Sequence, residues 1–332
     1  MDNHLKLRKA GRREEGRVWK MRHRKPAMRT EQKAPVLMIS QSRQTLLKEK
    51  LDELYLSYDA SYVSSDPIQF PHRYGRTRDR EVASFVACVL AYGSVTTIKK
   101  DLEKIFTFLG PSPYETVLAT EPDELLSAFR GFKHRFTTAR HLAWLLLITR
   151  EILSEFGSLK AFFLKGYLRD RPSIKESLIS FVDGLLRYGN RNIYRSVEDA
   201  RRDGALFLIP SPQTGSACKR LNLFLRWMVR TADKVDFGLW PEVNPSQLVI
   251  PLDTHIARLS HYLGLTRRKT SDWKTAEEIT QTLRTLDPGD PLKYDFSLTR
   301  LGILGNCVVS KCDARCRECL LVEICERGGS AR

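Results

Sequence analysis

The sequence predicts an all-α fold. Three observations carry this: apolar residues recur at helical spacing along most of the chain, strand-like alternation is scarce, and Gly, Pro and Ser cluster between the periodic segments. Residues 43–58 place Leu46, Leu47, Leu51, Leu54 and Tyr55 at helical spacing. A turn-rich stretch follows, from Ser64-Ser65-Asp66-Pro67 to Tyr74-Gly75-Arg76. Residues 80–92 are apolar and helical; Gly93-Ser94-Val95-Thr96 break that helix, and another runs over 97–109. Further helices are expected at 122–129, 139–156, 173–186, 221–229, 254–263, 275–286 and 294–303. There is no internal repeat.

Composition narrows the function classes. The chain has 332 residues, 42% of them hydrophobic, which suits a folded protein of one large or two smaller packed domains. Lys and Arg exceed Asp and Glu by 55 to 39, a surplus that points to a polyanionic partner, nucleic acid first and an anionic membrane surface second. No apolar run approaches the roughly 20 residues of a membrane span, and residues 142–148 are too few. The basic start has no apolar core behind it, so it does not read as a secretory signal. A cytoplasmic, nucleoid-associated protein is expected, and its seven cysteines then do not form a disulfide framework. Residues 1–40 form a tail: residues 1–33 hold twelve Lys/Arg against four acids, with little apolar surface to bury, and disorder is expected there. Residues 41–304 are the helical body, and residues 305–332 a cysteine loop and C-terminus.

Five of the seven cysteines fall close together: Cys307, Cys312, Cys316, Cys319 and Cys325, the last three spaced C-x2-C-x5-C. Short spacers let thiolates converge on one centre. Zinc sites often use two C-x2-C knuckles, and only one is present, so a [4Fe–4S] cluster suits this run better, with zinc the alternative. The run resembles the C-x6-C-x2-C-x5-C loop that closes endonuclease III and the adenine-specific mismatch glycosylases, members of the helix-hairpin-helix DNA glycosylase superfamily. Cys316, Cys319 and Cys325 match its last three positions. Val309 stands at the first, so the fourth ligand is Cys307, directly after Gly305-Asn306, with Cys312 as the alternative.

Two further segments carry the resemblance. Pro251-Leu252-Asp253-Thr254-His255-Ile256-Ala257-Arg258-Leu259 resembles V-D-T-H-I-x-R-V, in which the aspartate lies at a helix start and faces the flipped nucleotide. An aspartate there also serves as an N-cap. Gly215-Ser216-Ala217-Cys218-Lys219-Arg220-Leu221-Asn222 is similar to the G-x-G-R-K-T-A-N segment that carries a nucleophilic lysine. The resemblance therefore implies a two-lobed helical glycosylase fold acting on double-stranded DNA. Lys219 is its nucleophile and Asp253 its catalytic carboxylate, with AP lyase activity through a Schiff base. Arg220, Gly215, Ser216, Tyr92 and His255 are expected to contact DNA.

Several departures accompany the match. The hairpin pattern L-P-G-V-G is replaced by Ile209-Pro210-Ser211-Pro212-Gln213-Thr214-Gly215, leaving Gly215-Ser216 as the candidate phosphate cradle. Tyr92-Gly93 stands where endonuclease III carries its inserting glutamine; Tyr92 reads as a stacking residue or as ordinary packing. Lys219 and Asp253 lie 34 positions apart, longer than in endonuclease III and closer to the archaeal 8-oxoguanine glycosylases, which lack the cluster. From about Arg80 to Cys325 the chain most resembles an uncharacterised bacterial family of the superfamily, through Ser216–Asn222 and Lys293-Tyr294-Asp295-Phe296-Ser297-Leu298. A non-catalytic DNA-binding protein is the rival reading, and an RNA-binding one ranks last.

Overall fold

The computed structural model describes residues 40–188, 193–231, 233–307 and 314–327. The basic tail and Cys312 lie outside them. The described residues belong to one unit.

The described residues are mostly helical. Helix α1 spans Gln41–Ser57, and three short 3-10 turns occupy the turn-rich stretch that follows it. Then come α2 (Thr77–Val89), α3 (Val95–Leu109), α4 (Pro113–Ala119) and α5 (Pro122–Ala128). A two-stranded hairpin follows, β1 (Lys133–His134) pairing antiparallel with β2 (Thr137–Thr138). The rest are α6 (Ala139–Phe156), α7 (Leu159–Leu164), α8 (Lys175–Tyr188), α9 (Val197–Arg202), α10 (Lys219–Val229), α11 (Thr254–Tyr262), α12 (Trp273–Leu286), α13 (Asp295–Ile303) and α14 (Ala314–Arg317).

Local chemistry sets the helix starts. Side chains of Ser40, Ser94, Thr138, Ser158, Ser196, Asp253 and Asp272 each accept a backbone N–H in the first turn of the helix that follows. Proline occupies the first turn of α4 and α5, where its missing N–H costs nothing. Gly157, at φ 74°, closes α6.

Helix α2 is buried from Glu81 to Val89 and packs against α10, which is buried from Arg220 to Val229. Helices apolar almost all round are core helices. Around this pair α6 gathers α4, α5, α7 and α8, while α13 gathers α1 and α11. No helix among the described residues is long and apolar enough to cross a membrane.

Three arginines are fully buried in the core. Arg226 bonds Asp236 at 3.1 Å and Asp295 at 2.5 Å, while Arg230 bonds Asp236, Asp233 and Asp290. Arg300 pairs with Asp66 at 2.7 Å. The segment 293–298 is the junction of this lattice. Lys293 and Tyr294 bond Asp52 on α1, and Asp295 reaches Arg226 on α10. Helices α1, α10 and α13 are thereby tied at one point.

Candidate functional site

Lys219 is the first residue of α10 and is half-buried. Its Nζ donates to the carbonyl of Ala91, just past the end of α2, at 2.9 Å. Asp253 caps α11: Oδ1 accepts from the N–H of His255 and of Ile256, both at 2.8 Å. No hydrogen bond among the described residues uses Oδ2, so one carboxylate oxygen is fixed by the helix while the other is left for a further partner.

His255 follows Asp253 in the first turn of α11. Burial holds its imidazole below the usual pKa; Asp253 pulls it up, while Arg258, Arg300 and Lys219 push it down. Lys219 and Asp253, from different helices, thus act electrostatically on one ring. The ring lies on α13, where a Cβ at Gly302 would sit 2.7 Å from Nδ1. Behind the site Asp295 is buried, and burial together with Asp253 and Asp236 raises its carboxyl to about 6 against the lowering influence of Arg226. Its Oδ1 has no hydrogen-bond partner.

The expected DNA-contacting residues divide. Arg220 is 6% exposed. It donates to the Val89 and Phe207 carbonyls, and its guanidinium stacks on Tyr92 and Phe207. Burial pulls its pKa down to about 10. It clamps the end of α2 to the 205–208 turn, so the expectation of a phosphate contact is corrected: its donors point inward. Gly215 is exposed at φ 82°, but its amide already donates to Pro212 and its carbonyl accepts from Trp273. The Ser216 hydroxyl accepts from the Cys218 amide. Of the expected Gly215-Ser216 cradle, the Gly215 amide is used within the turn. Tyr92 is half-buried, its hydroxyl bonded to the His134 carbonyl and Thr137, so it packs. Burial lowers the His255 pKa and so disfavours its charged form.

The cysteines form a second locus. Cys307, Cys316, Cys319 and Cys325 line one cavity, together with Leu259, Tyr262, Leu263, Leu301, Asn306, Leu321 and Val322. All four are free thiols. Burial pushes the Cys307 and Cys319 thiols up, and the neighbouring cysteines push them further. Among the described residues no group of three or more His, Cys, Asp or Glu is arranged to hold a metal ion. The thiols share one cavity. The two loci lie at opposite ends of α11, roughly 13 Å apart by helix rise. Arg258 spans part of that interval, reaching His255 Nδ1 at 3.4 Å and the Cys307 carbonyl at 3.5 Å.

Sequence reasoning missed Glu81. Its buried carboxylate accepts from the Leu159 and Lys160 amides and from the Trp240 indole, and so fixes the start of α7 and the long segment between Lys219 and Asp253. An acid directly before the apolar run 82–91 was the available signal.

Fold and site together define a helical protein with a lysine at one helix start, an aspartate capping another, and a thiol-lined cavity. Residues 66–304 match the family described as "Protein of unknown function (DUF2400)", and the chain belongs to that family. The match takes in Lys219 and Asp253 and stops short of the four cysteines. No curated protein matches the chain.

Proposed function

We propose that the protein is a DNA base-excision glycosylase with AP lyase activity, built as a two-lobed helix-hairpin-helix glycosylase, and that it acts on a damaged base flipped from duplex DNA. The observation that supports this reading is an amine anchored at the half-buried start of α10, Lys219 on the Ala91 carbonyl, together with a carboxylate, Asp253, that caps α11 through Oδ1 alone. In this reading the Lys219 amine, released from the Ala91 carbonyl and deprotonated, attacks the sugar C1′. The C1′–N bond breaks, the base leaves, and the sugar is held as a Schiff base. Asp253 stabilises the positive charge that develops at the sugar and moves the proton. Arg220 supports Lys219 from within the core instead of touching DNA.

The cysteine cavity supports a [4Fe–4S] cluster as resident cofactor. Four thiols in otherwise mostly apolar surroundings fit a cluster bound at its corners. Cys307, Cys316, Cys319 and Cys325 would hold it, and bound there it would brace the C-terminal loop against α11. Protein purified anaerobically is expected to carry iron and acid-labile sulfide in equal amounts, and Cys319→Ser to lose both. Zinc in stoichiometric amount, without sulfide, would overturn the assignment.

The activity is tested by incubating the protein with duplexes carrying uracil, 8-oxoguanine, thymine glycol or an abasic site. Base release or strand cleavage on at least one is expected, with binding that weakens steeply as salt rises. Binding without reaction on every duplex would support the non-catalytic reading, which the spent amide of Gly215 favours.

A further inference from the structure

The end of α2 and the residues just beyond it meet three nitrogen donors. Helix α2 ends at Val89, and carbonyls at a helix end have no partner within the helix. The Val89 carbonyl accepts from Arg220 at 3.0 Å and the Ala91 carbonyl from Lys219 at 2.9 Å. The Tyr92 carbonyl lies 3.0 Å from Nε2 of His134. Arginine and lysine bring positive charge, which suits the negative end of a helix dipole.

His134, on β1, is fully buried. Its Nδ1 lies 2.9 Å from Oδ2 of Asp101 on α3. Asp101 is 6% exposed, and its Oδ1 faces Lys104, one turn further along α3, at 3.6 Å. Both partners of the ring, a carboxylate and a carbonyl, accept hydrogen bonds and donate none. A neutral imidazole has one N–H and would set a nitrogen lone pair against one of these oxygens. A ring with two N–H groups satisfies both, and the Asp101 carboxylate balances its charge. The contact is reciprocal: the Tyr92 hydroxyl donates to the His134 carbonyl at 2.8 Å and meets the Thr137 hydroxyl at 2.7 Å. The Tyr92 and His134 rings also meet edge to face, their centroids 4.6 Å apart.

We infer that His134 is a buried imidazolium and that, with Asp101, it positions the segment after α2 on which Lys219 rests. The charge of the ring follows from its two acceptors; the positioning role rests on the glycosylase reading above. When Lys219 leaves the Ala91 carbonyl to attack the sugar, His134 and Arg220 still hold the carbonyls on either side of it. The amine therefore departs from a fixed point.

The first test reads the ring nitrogens of isotope-labelled histidines by NMR in the full-length protein, at about pH 7.5, where an ordinary histidine is neutral. His134 is expected to carry two protons. In Asp101→Asn it is expected to carry one: the asparagine amide donates to Nδ1, and Nε2 keeps its proton for the Tyr92 carbonyl. The signal that changes in this way identifies His134. A parent protein in which no histidine carries two protons at that pH overturns the inference.

The second test times the borohydride-trapped adduct on a duplex with an abasic site. His134→Gln is expected to form it about tenfold more slowly at equal DNA binding, because small displacements of a positioned group are costly. Asp101→Asn keeps both hydrogen bonds and is expected to lose no more than about threefold. Circular dichroism checks the fold of each variant; if His134→Gln does not fold, the parent and Asp101→Asn spectra still decide the charge of the ring. Adduct formation by His134→Gln at the parent's rate overturns the inference and leaves the glycosylase reading intact. A parent that forms no adduct overturns that reading, and the positioning role with it.

Discussion

Arg226→Met is expected to destabilise the protein by about 3–5 kcal/mol, because it leaves charges buried and unpaired. Arg226 is 2% exposed and holds Asp236 and Asp295 together. Methionine fills much the same volume, so the loss reports charge and not a cavity. Without Arg226, Asp295 keeps no cation, and Asp236 retains only Arg230, which it already shares with Asp233 and Asp290. Thermal unfolding is the measurement, and a fall in midpoint of roughly 10 °C is the expected reading. A change of less than about 1 kcal/mol would show that the buried lattice is not what joins α10 to α13. The proposed catalysis would depend on the same join, since α10 carries Lys219 and α13 packs against α11 and His255. The double variant Arg226→Met/Asp295→Leu removes a buried carboxylate along with its partner and is expected to recover part of the loss.

The second large effect separates the two jobs of Asp253. Asparagine also caps helices well, so Asp253→Asn should keep α11 within about 0.5 kcal/mol while removing the negative charge. Base release is then expected to fall by roughly 10²–10³-fold, the usual cost of removing one positioned group that stabilises developing charge. Asp253→Ala loses the cap as well, and should add about 1 kcal/mol of destabilisation to a similar kinetic loss. The two variants together distinguish chemistry from scaffolding. Asparagine retaining full activity while alanine loses both would mean that the residue serves only the helix.

How much of this was legible follows from length and from partners. Helix α6 was readable to both ends, because eighteen residues show five turns of one period and Thr138 and Gly157 mark its limits. Helices α4, α7 and α9 have seven, six and six residues, too few for a period to emerge, and none was expected. The hairpin has two residues per strand, so no alternation could announce it. Asp253 was readable as a helix cap because capping is local chemistry. Arg220 was misjudged because a charged residue at a helix start reads as exposed, whereas its acceptors, the carbonyls of Val89 and Phe207, lie far away in sequence or on an unrecognised turn. Arg226, Arg230 and their acids share that illegibility. The thiol spacing was readable as a centre, yet only the folded chain shows Cys307 lining the cavity with Cys316, Cys319 and Cys325. Cys312, the alternative ligand, falls outside the described residues.

The measurement that bears most directly on the account is borohydride trapping on a duplex with an abasic site, comparing the parent protein with Lys219→Gln. Glutamine can still donate to the Ala91 carbonyl, so the fold around α10 is kept while the amine is lost. The account predicts a covalent protein–DNA adduct with the parent and none with the variant, at equal DNA binding. An adduct of undiminished yield with Lys219→Gln would contradict it, placing the nucleophile elsewhere and leaving the Lys219–Asp253 pair without its proposed role.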